Sequence, residues 1–137
     1  MIYIDTGAFL ARYISHDQYH SQAREGWKKL ERTGKKCFTS NFVLNETFTL
    51  LARRASYSFA AQRARAILSS EILAILRASQ EEEFDALELF EKYADQEVSY
   101  TDCISFALMR KHGIQDAFSF DNHFERAGFK LWQKSPV

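Results

Sequence analysis

Long apolar runs, proline and cysteine are all scarce in this chain of 137 residues. No apolar run is long enough to span a bilayer, and the N-terminus lacks the basic and apolar segments of a signal peptide. We therefore expect a cytoplasmic protein without membrane contact. A single proline and a hydrophobic content of 46% argue against a disordered chain. Cys37 and Cys103 match no metal or redox spacing and lie in apolar contexts, which predicts buried free thiols.

An excess of charge is also absent, because the formal net charge is zero. This balance does not indicate a globally basic nucleic-acid-binding protein. The charges are unevenly distributed, however: residues 1–69 carry eleven basic and five acidic side chains, and residues 70–137 carry seven and thirteen. Such a distribution is compatible with a basic face beside an acidic metal site. Two solvated helix faces are the commoner explanation of the same distribution.

Short apolar segments alternate with longer amphipathic ones along the whole chain. The segment 71–77 fits either a strand or a helix, but Ser79 and Glu82 form a capping box that requires a non-helical Ser79 and so favours a strand. The predicted strands are 2–4, 37–39, 72–76, 117–120 and 129–132. The predicted helices are 8–14, 19–33, 42–55, 59–68, 80–94, 101–112 and 122–127. This order predicts an α/β fold with a mostly parallel sheet of four to five strands, and helices on both of its faces.

The sequence also predicts the position of one strand, one helix cap and the buried face of one helix. The strand 2–4 is apolar throughout, which predicts a central position in the sheet. Thr6 is a candidate cap for the first helix. We expect the helix 80–94 to bury Phe84, Leu87 and Phe90 and to expose its acids.

Four acids occupy the ends of predicted elements. Asp5 and Asp121 follow strands, and Glu46 and Asp102 lie near the starts of helices. In a parallel sheet with flanking helices, ligands bind beyond the carboxyl ends of the strands. Hard divalent cations such as Mg²⁺ prefer oxygen ligands, and bound ions can activate water and stabilise a leaving oxygen. The pattern therefore predicts a metal-dependent phosphodiesterase site.

Each acid taken alone has an ordinary structural explanation. Asp5 can cap a helix, and Asp102 can interact favourably with the helix dipole. Glu46 can pair with Arg53 or Arg54, and Asp121 suits a turn. The combination of the four acids in this chain order is what favours a functional site.

Four segments carry a resemblance to a known family: IYIDT at 2–6, NFVLNE at 41–46, SYTDCISF at 99–106 and AFSFDNHFERAGF at 117–129. The chain resembles PIN-domain proteins, and within that superfamily the VapC-type toxins of prokaryotic toxin–antitoxin pairs. The resemblance implies a PIN-like three-layer sandwich in which residues 1–137 form one domain. It implies a metal-dependent endoribonuclease that uses Mg²⁺ or Mn²⁺.

The resemblance also implies roles for single residues. It implies that the acids that bind metal and carry out catalysis are Asp5, Glu46, Asp102 and Asp121. It places hydroxyls that support the acids or bound water at Thr6, Thr101 and Ser119. Two positions depart from the family pattern. Gly7 stands where Ser or Asn is common. His123 stands where some relatives carry another acid. Two interpretations of it are open: a ligand or an acid of the site, and, more simply, a surface helix residue.

The resemblance implies that RNA is the substrate. It also implies that the chain binds a cognate antitoxin protein and forms a homodimer. The basic side chains Arg53, Arg54, Arg63 and Arg65 are candidate contacts for RNA or for an acidic partner. A catalytically inactive PIN-like module that binds RNA or protein is the alternative function, although all four acids are present. A phosphatase that forms an aspartyl-phosphate is a third hypothesis, but such enzymes usually carry a second Asp where this chain has Gly7.

Overall fold

A computed structural model describes residues 1–135. Five strands form a single sheet, and seven α-helices connect them. The strands are β1 (Ile2–Ile4), β2 (Cys37–Ser40), β3 (Leu73–Leu76), β4 (Asp116–Phe118) and β5 (Lys130–Leu131). The helices are α1 (Thr6–Tyr13), α2 (His20–Thr33), α3 (Asn41–Arg54), α4 (Tyr57–Leu68), α5 (Gln80–Lys92), α6 (Tyr100–Lys111) and α7 (His123–Arg126). None of the helices within residues 1–135 has both the length and the apolar character needed to cross a bilayer.

The strand order is β3-β2-β1-β4-β5, and all four strand pairs are parallel. The predicted α/β sandwich is confirmed, and β1 is central as expected. From β1 the chain first builds the sheet in one direction through β2 and β3. It then returns to the other side of β1 with β4. The strand order therefore reverses between β1 and β4, and a crevice forms beyond their carboxyl ends.

Serine side chains cap the N-termini of four helices, α3, α4, α5 and α6. Ser40 accepts from the backbone N–H of Val43, and Ser56 accepts from that of Phe59. At α5, Ser79 and Glu82 form the predicted capping box. The prediction that Thr6 caps the first helix is wrong. Helix α1 already includes Thr6, because the backbone turns helical directly after Asp5 at the end of β1.

Helix α5 is rotated relative to the sequence prediction. Its buried residues are Glu82, Ala86 and Leu89. The expected core residues instead lie on the exposed side, where Phe84 is 60% exposed and Leu87 and Phe90 are 43% exposed. Two contacts of Glu82 account for this rotation. Glu82 is bound to Ser79 in the capping box and to Lys111 of α6 at 3.1 Å, so its face of the helix turns inward against α6.

Three strands are shorter than predicted, and β3 differs least because it only begins one residue later, at Leu73. β4 ends at Phe118, because its neighbour β1 ends at Ile4 and β5 offers only two paired residues. The chain then leaves the sheet at Ser119 and Phe120. β5 ends at Leu131, and Trp132 begins a turn of 3₁₀ helix.

Cys103 is buried and Cys37 is half-buried, and both thiols are free as predicted.

Close packing of α2 against the sheet depends on Gly26. An added Cβ at this position would lie 2.5 Å from the ring of Phe118. That ring is fully buried and packs against Trp27 and Trp132, at centroid distances of 5.6 and 5.5 Å. The ring therefore has no free volume into which it could move.

We predict that Gly26→Ala destabilises the protein despite the better helix propensity of alanine. Overpacking of a core costs about 1–3 kcal/mol, whereas Gly→Ala in a helix gains at most about 1 kcal/mol. Gly7→Ala is the matched control, because its Cβ would make an ordinary 3.9 Å contact with Phe120. Thermal unfolding should show a lower melting temperature for Gly26→Ala and an unchanged or higher one for Gly7→Ala. If Gly26→Ala were as stable as the wild type or more stable, the claim that the Phe118 ring leaves no room for a Cβ at position 26 would be wrong.

Candidate metal-dependent nuclease site

The crevice at the reversal point of the strand order brings all four predicted acids together. Asp5 follows β1, Asp121 follows β4, Glu46 lies in the second turn of α3, and Asp102 lies in the first turn of α6. All four line one cleft of about 680 Å³. Residues far apart in the sequence thus share one rim of the sheet, as expected for the carboxyl ends of parallel strands.

Ser119 connects two of these acids through hydrogen bonds. Its hydroxyl donates to Asp5 Oδ2 at 2.8 Å and accepts from the backbone N–H of Asp121 at 3.0 Å. Ser119 itself is fully buried, and its backbone carbonyl accepts from the side-chain amide of Gln133. The Asp5 carboxylate is therefore held in a fixed orientation beside the loop that carries Asp121.

Asp102, Asp121 and His123 form the tightest group of potential ligands. Each offers one ligand atom, and these three atoms lie within 4.8 Å of one another. His123 Nδ1 lies 3.0 Å from Asp121 Oδ1 and 3.4 Å from Asp102 Oδ2. Of the two interpretations of His123, this position beside the acids suits that of a ligand and not that of a simple surface residue. The signal in the sequence was its spacing of two residues from Asp121 across a helix start, where a loop can bring both side chains to one point.

Burial and mutual repulsion make two of the acids reluctant to ionise. Burial raises the pKa of Asp5, and the charges of Asp102 and Asp121 raise it further. Burial likewise raises the pKa of Asp102, and the charges of Asp121 and Glu46 add to the effect. These electrostatic couplings connect all four acids. Such a cluster is neutralised either by protons or by a cation.

The ordinary structural explanations account for only part of this arrangement. Asp5 occupies the cap position of α1 but makes no side-chain cap hydrogen bond. Glu46 has no ion pair with Arg53 or Arg54 within residues 1–135. Asp121 does form a turn, since Oδ1 accepts from the backbone N–H of His123 at 2.9 Å. That turn also brings His123 next to the acids.

The predicted supporting hydroxyls differ in their surroundings. Ser119 bonds directly to Asp5, as described above. Thr6 lines the cleft, and its buried hydroxyl has no hydrogen-bond partner among the described residues. Thr101 is half-buried in α6, and among the hydrogen bonds within residues 1–135 none joins its hydroxyl to an acid.

Of the four predicted basic contacts, Arg54 alone lines the cleft. Arg53 and Arg65 are exposed elsewhere on α3 and α4. Arg63 packs its guanidinium over the rings of Tyr13 and Phe59, at 5.3 and 5.2 Å from their centroids. Sequence reasoning missed the other cleft residues with polar or aromatic side chains, because they come from loops and from α7. These are Asp17, Gln18, Tyr19, Glu97, Ser99, Phe120, Asn122 and Arg126.

Comparison with known proteins identifies the fold family. Residues 2–130 match the PIN domain. The chain belongs to the PIN-domain family. It is 38% identical, over 94% of its length and 95% of the relative's, to the "23S rRNA-specific endonuclease VapC20" of Mycobacterium tuberculosis, in strains CDC 1551 / Oshkosh and ATCC 25618 / H37Rv. The crystal structure of M. tuberculosis VapC20, described as a "Sarcin-Ricin loop cleaving toxin", superposes with a TM-score of 0.83 at 37% identity, covering 94% of this chain and 96% of that one. The predicted resemblance to VapC-type PIN domains is confirmed.

We predict that Asp5→Asn stabilises the metal-free protein at alkaline pH. A carboxyl whose pKa is raised by folding contributes stability below its unfolded-state pKa, and this contribution is lost as the pH rises through the folded-state value. Since the pKa of Asp5 is raised, metal-free wild type should lose stability as the pH rises, whereas an uncharged Asn does not add to the repulsion. Melting temperatures in chelator should be higher for the variant at pH of about 8, and the difference should shrink towards pH of about 5.

The control for this measurement is Asp85→Asn on α5, because Asp85 is exposed and lies outside the acidic cleft. It should leave the pH profile of stability unchanged. If Asp5→Asn is less stable than wild type at every pH, the Asp5 carboxylate is not under repulsion.

Proposed function

We propose that this chain is a metal-dependent endoribonuclease and the toxin of a type II toxin–antitoxin pair, with residues 1–137 forming one PIN-like domain. The sequence prediction of a VapC-type endoribonuclease agrees with the function named for its relatives. The observation that carries the proposal is the convergence of Asp5, Glu46, Asp102 and Asp121 in one cleft. A module that only bound RNA or protein would gain nothing from four acids that repel one another and a polyanion.

We propose 23S rRNA as the substrate, and within it the sarcin–ricin loop. The support is the specificity named for relatives that align along nearly the whole chain at 37–38% identity. A structured RNA loop also suits an open cleft on the rim of a sheet, because enzymes read RNA loops by shape and by their unstacked bases.

The donor set of the site fits Mg²⁺ or Mn²⁺. Carboxylate oxygens of Asp5, Glu46, Asp102 and Asp121 would hold the ion or ions, and Nδ1 of His123 lies within reach of the same point. Two observations support a cation here. Burial, together with the charges of the neighbouring acids, raises the pKa of Asp5 and of Asp102, and the Thr6 hydroxyl is buried without a partner among the described residues. When bound, such ions activate water and stabilise charge on the phosphate.

The protein side chains would position the reaction. Ser119 keeps Asp5 oriented, and Ser99 accepts from the backbone N–H of Asp102 at 3.1 Å, which fixes the start of α6. Arg54 and Arg126 line the same cleft and can contact the phosphates of an RNA strand. Thr6 remains a predicted supporting residue, and its hydroxyl is buried without a partner among the described residues. Thr101 remains a predicted supporting residue.

An antitoxin protein and a second copy of the chain are the partners that we propose, and the cytoplasm is the proposed location. The proposal of an antitoxin partner is supported by the similarity of the chain to a relative described as a toxin. The homodimer is a prediction from the sequence alone, as are RNA or partner contacts of Arg53, Arg63 and Arg65.

We predict that Mg²⁺ or Mn²⁺ raises the melting temperature of the wild-type protein. A ligand that binds only the folded state stabilises it by about 2.7 kcal/mol when present at about 100 times its dissociation constant. The variant Asp102→Asn should lose most of this shift, because it removes the most buried carboxylate of the Asp102–Asp121–His123 group. The control Asp85→Asn should retain it. No shift with either ion for the wild type would argue against a metal site.

We predict that Asp102→Asn abolishes RNA cleavage and leaves the far-ultraviolet circular dichroism spectrum native. The measurement is the release of new 5′ ends from purified ribosomal RNA in the presence of Mg²⁺ or Mn²⁺, with Asp85→Asn as the active control. Full cleavage by Asp102→Asn would contradict the proposed role of the acids. If the wild type binds RNA but never cleaves it, the alternative of an inactive RNA-binding module is correct.

A further inference from the structure

A second depression lies beside the acidic cleft, on the other side of a stacked aromatic pair. The rings of Tyr19 and Phe120 are parallel within 1°, and their centroids are 4.6 Å apart. Both rings, together with Asn122, line both depressions. The second depression has a volume of about 690 Å³ and is bounded by α2 and by the chain around β5. The two depressions are therefore adjacent parts of one surface.

The sign of the charge changes across the Tyr19–Phe120 pair. Six carboxylates line the acidic cleft, against the two cations Arg54 and Arg126. The second depression, which we call the basic pocket, has a single carboxylate, from Glu25. Its cationic side chains are Lys28, Lys29, Arg32 and Lys134.

Two of these cations are already engaged, and two are free. Lys29 donates to the carbonyl of Ser135 at 3.2 Å, and Lys134 pairs with Glu125 at 3.6 Å. Lys28 and Arg32 are exposed and have no ion-pair partner within residues 1–135. They are separated by one helical turn of α2, so their side chains project from the same face of that helix.

We propose that the basic pocket binds phosphates of the RNA chain next to the phosphodiester that is cut in the acidic cleft. This inference rests on the proposed function. A polyanion is repelled by six carboxylates unless bound cations and neighbouring basic side chains offset the repulsion. The basic pocket supplies the unpaired cations Lys28 and Arg32 along α2, about 14 and 20 Å from Tyr19 at the helical rise of 1.5 Å per residue. A single RNA strand that crosses the Tyr19–Phe120 pair would place one phosphate at the acids and later phosphates at Lys28 and Arg32.

The experiment measures RNA binding by fluorescence anisotropy, with a labelled single-stranded RNA of about 20 nucleotides, which exceeds the usual site size. The background is Asp102→Asn, so that the RNA is not cut. Adding Lys28→Ala and Arg32→Ala should weaken binding roughly tenfold at about 0.15 M salt. It should also lower the slope of log affinity against log salt by about 1.4, since each lost single-strand phosphate contact contributes about 0.7.

The matched control in the same background is Arg77→Ala with Lys92→Ala, which removes the same charge. Both residues are exposed and line neither depression: Arg77 follows β3, the edge strand opposite β5, and Lys92 ends α5. The control should bind RNA within about twofold of its parent. An unchanged affinity of the Lys28/Arg32 variant, or an equal loss in the control, would overturn the proposal.

The failure of this inference is separable from failure of the proposed function, because cleavage is measured independently. If the wild type cleaves RNA and the Lys28/Arg32 variant binds and cleaves it with unchanged KM, the basic pocket is not an RNA site. If the variant instead loses affinity for an acidic peptide and keeps its affinity for RNA, the pocket belongs to a protein partner and the proposal is wrong.

Discussion

The burial of carboxylates that also repel one another is the constraint on which the rest of this structure depends. Burial and neighbouring charge raise the pKa of both Asp5 and Asp102, so the folded chain holds its acids together at a cost. Rigid elements on each side hold the acids in place against this free-energy cost. Asp5 is attached to the central strand and to the Ser119 hydroxyl, and Asp102 belongs to a helix whose residues 102–109 are all buried. A local arrangement that destabilises the metal-free fold is typical of a binding site.

The position of the acids follows from the topology of the sheet. Because the strand order reverses between β1 and β4, the chain leaves these two neighbours in opposite directions and opens a crevice between them. Asp5 and Asp121 lie in that crevice, because each is the first acidic residue after its strand. Helices α3 and α6 add Glu46 and Asp102 from its sides. The topology of the sheet therefore determines where all four acids meet.

Much of this arrangement could be predicted from the sequence, because strand ends, caps and apolar segments are local features. The parallel sheet, the central β1 and the shared position of the four acids all follow from them. The rotation of α5 could not be predicted in the same way, since Phe84 and Leu87 compete with Ala86 and Leu89 for the core. The contacts of Glu82 with Ser79 and Lys111 decide that competition. The sequence leaves His123 open between a ligand and a surface residue and does not predict the Tyr19–Phe120 pair, because the path of the chain after β4 determines both.

The central claim is that the acids share a cation, and anomalous diffraction from crystals soaked in Mn²⁺ tests it most directly. We expect an anomalous peak within bonding distance of carboxylate oxygens from Asp102 and Asp121, on the side that faces Asp5. The same soak of Asp102→Asn crystals should weaken or remove the peak. An absence of anomalous density in the wild-type cleft at saturating Mn²⁺, or a peak bound only elsewhere on the molecule, would contradict the account.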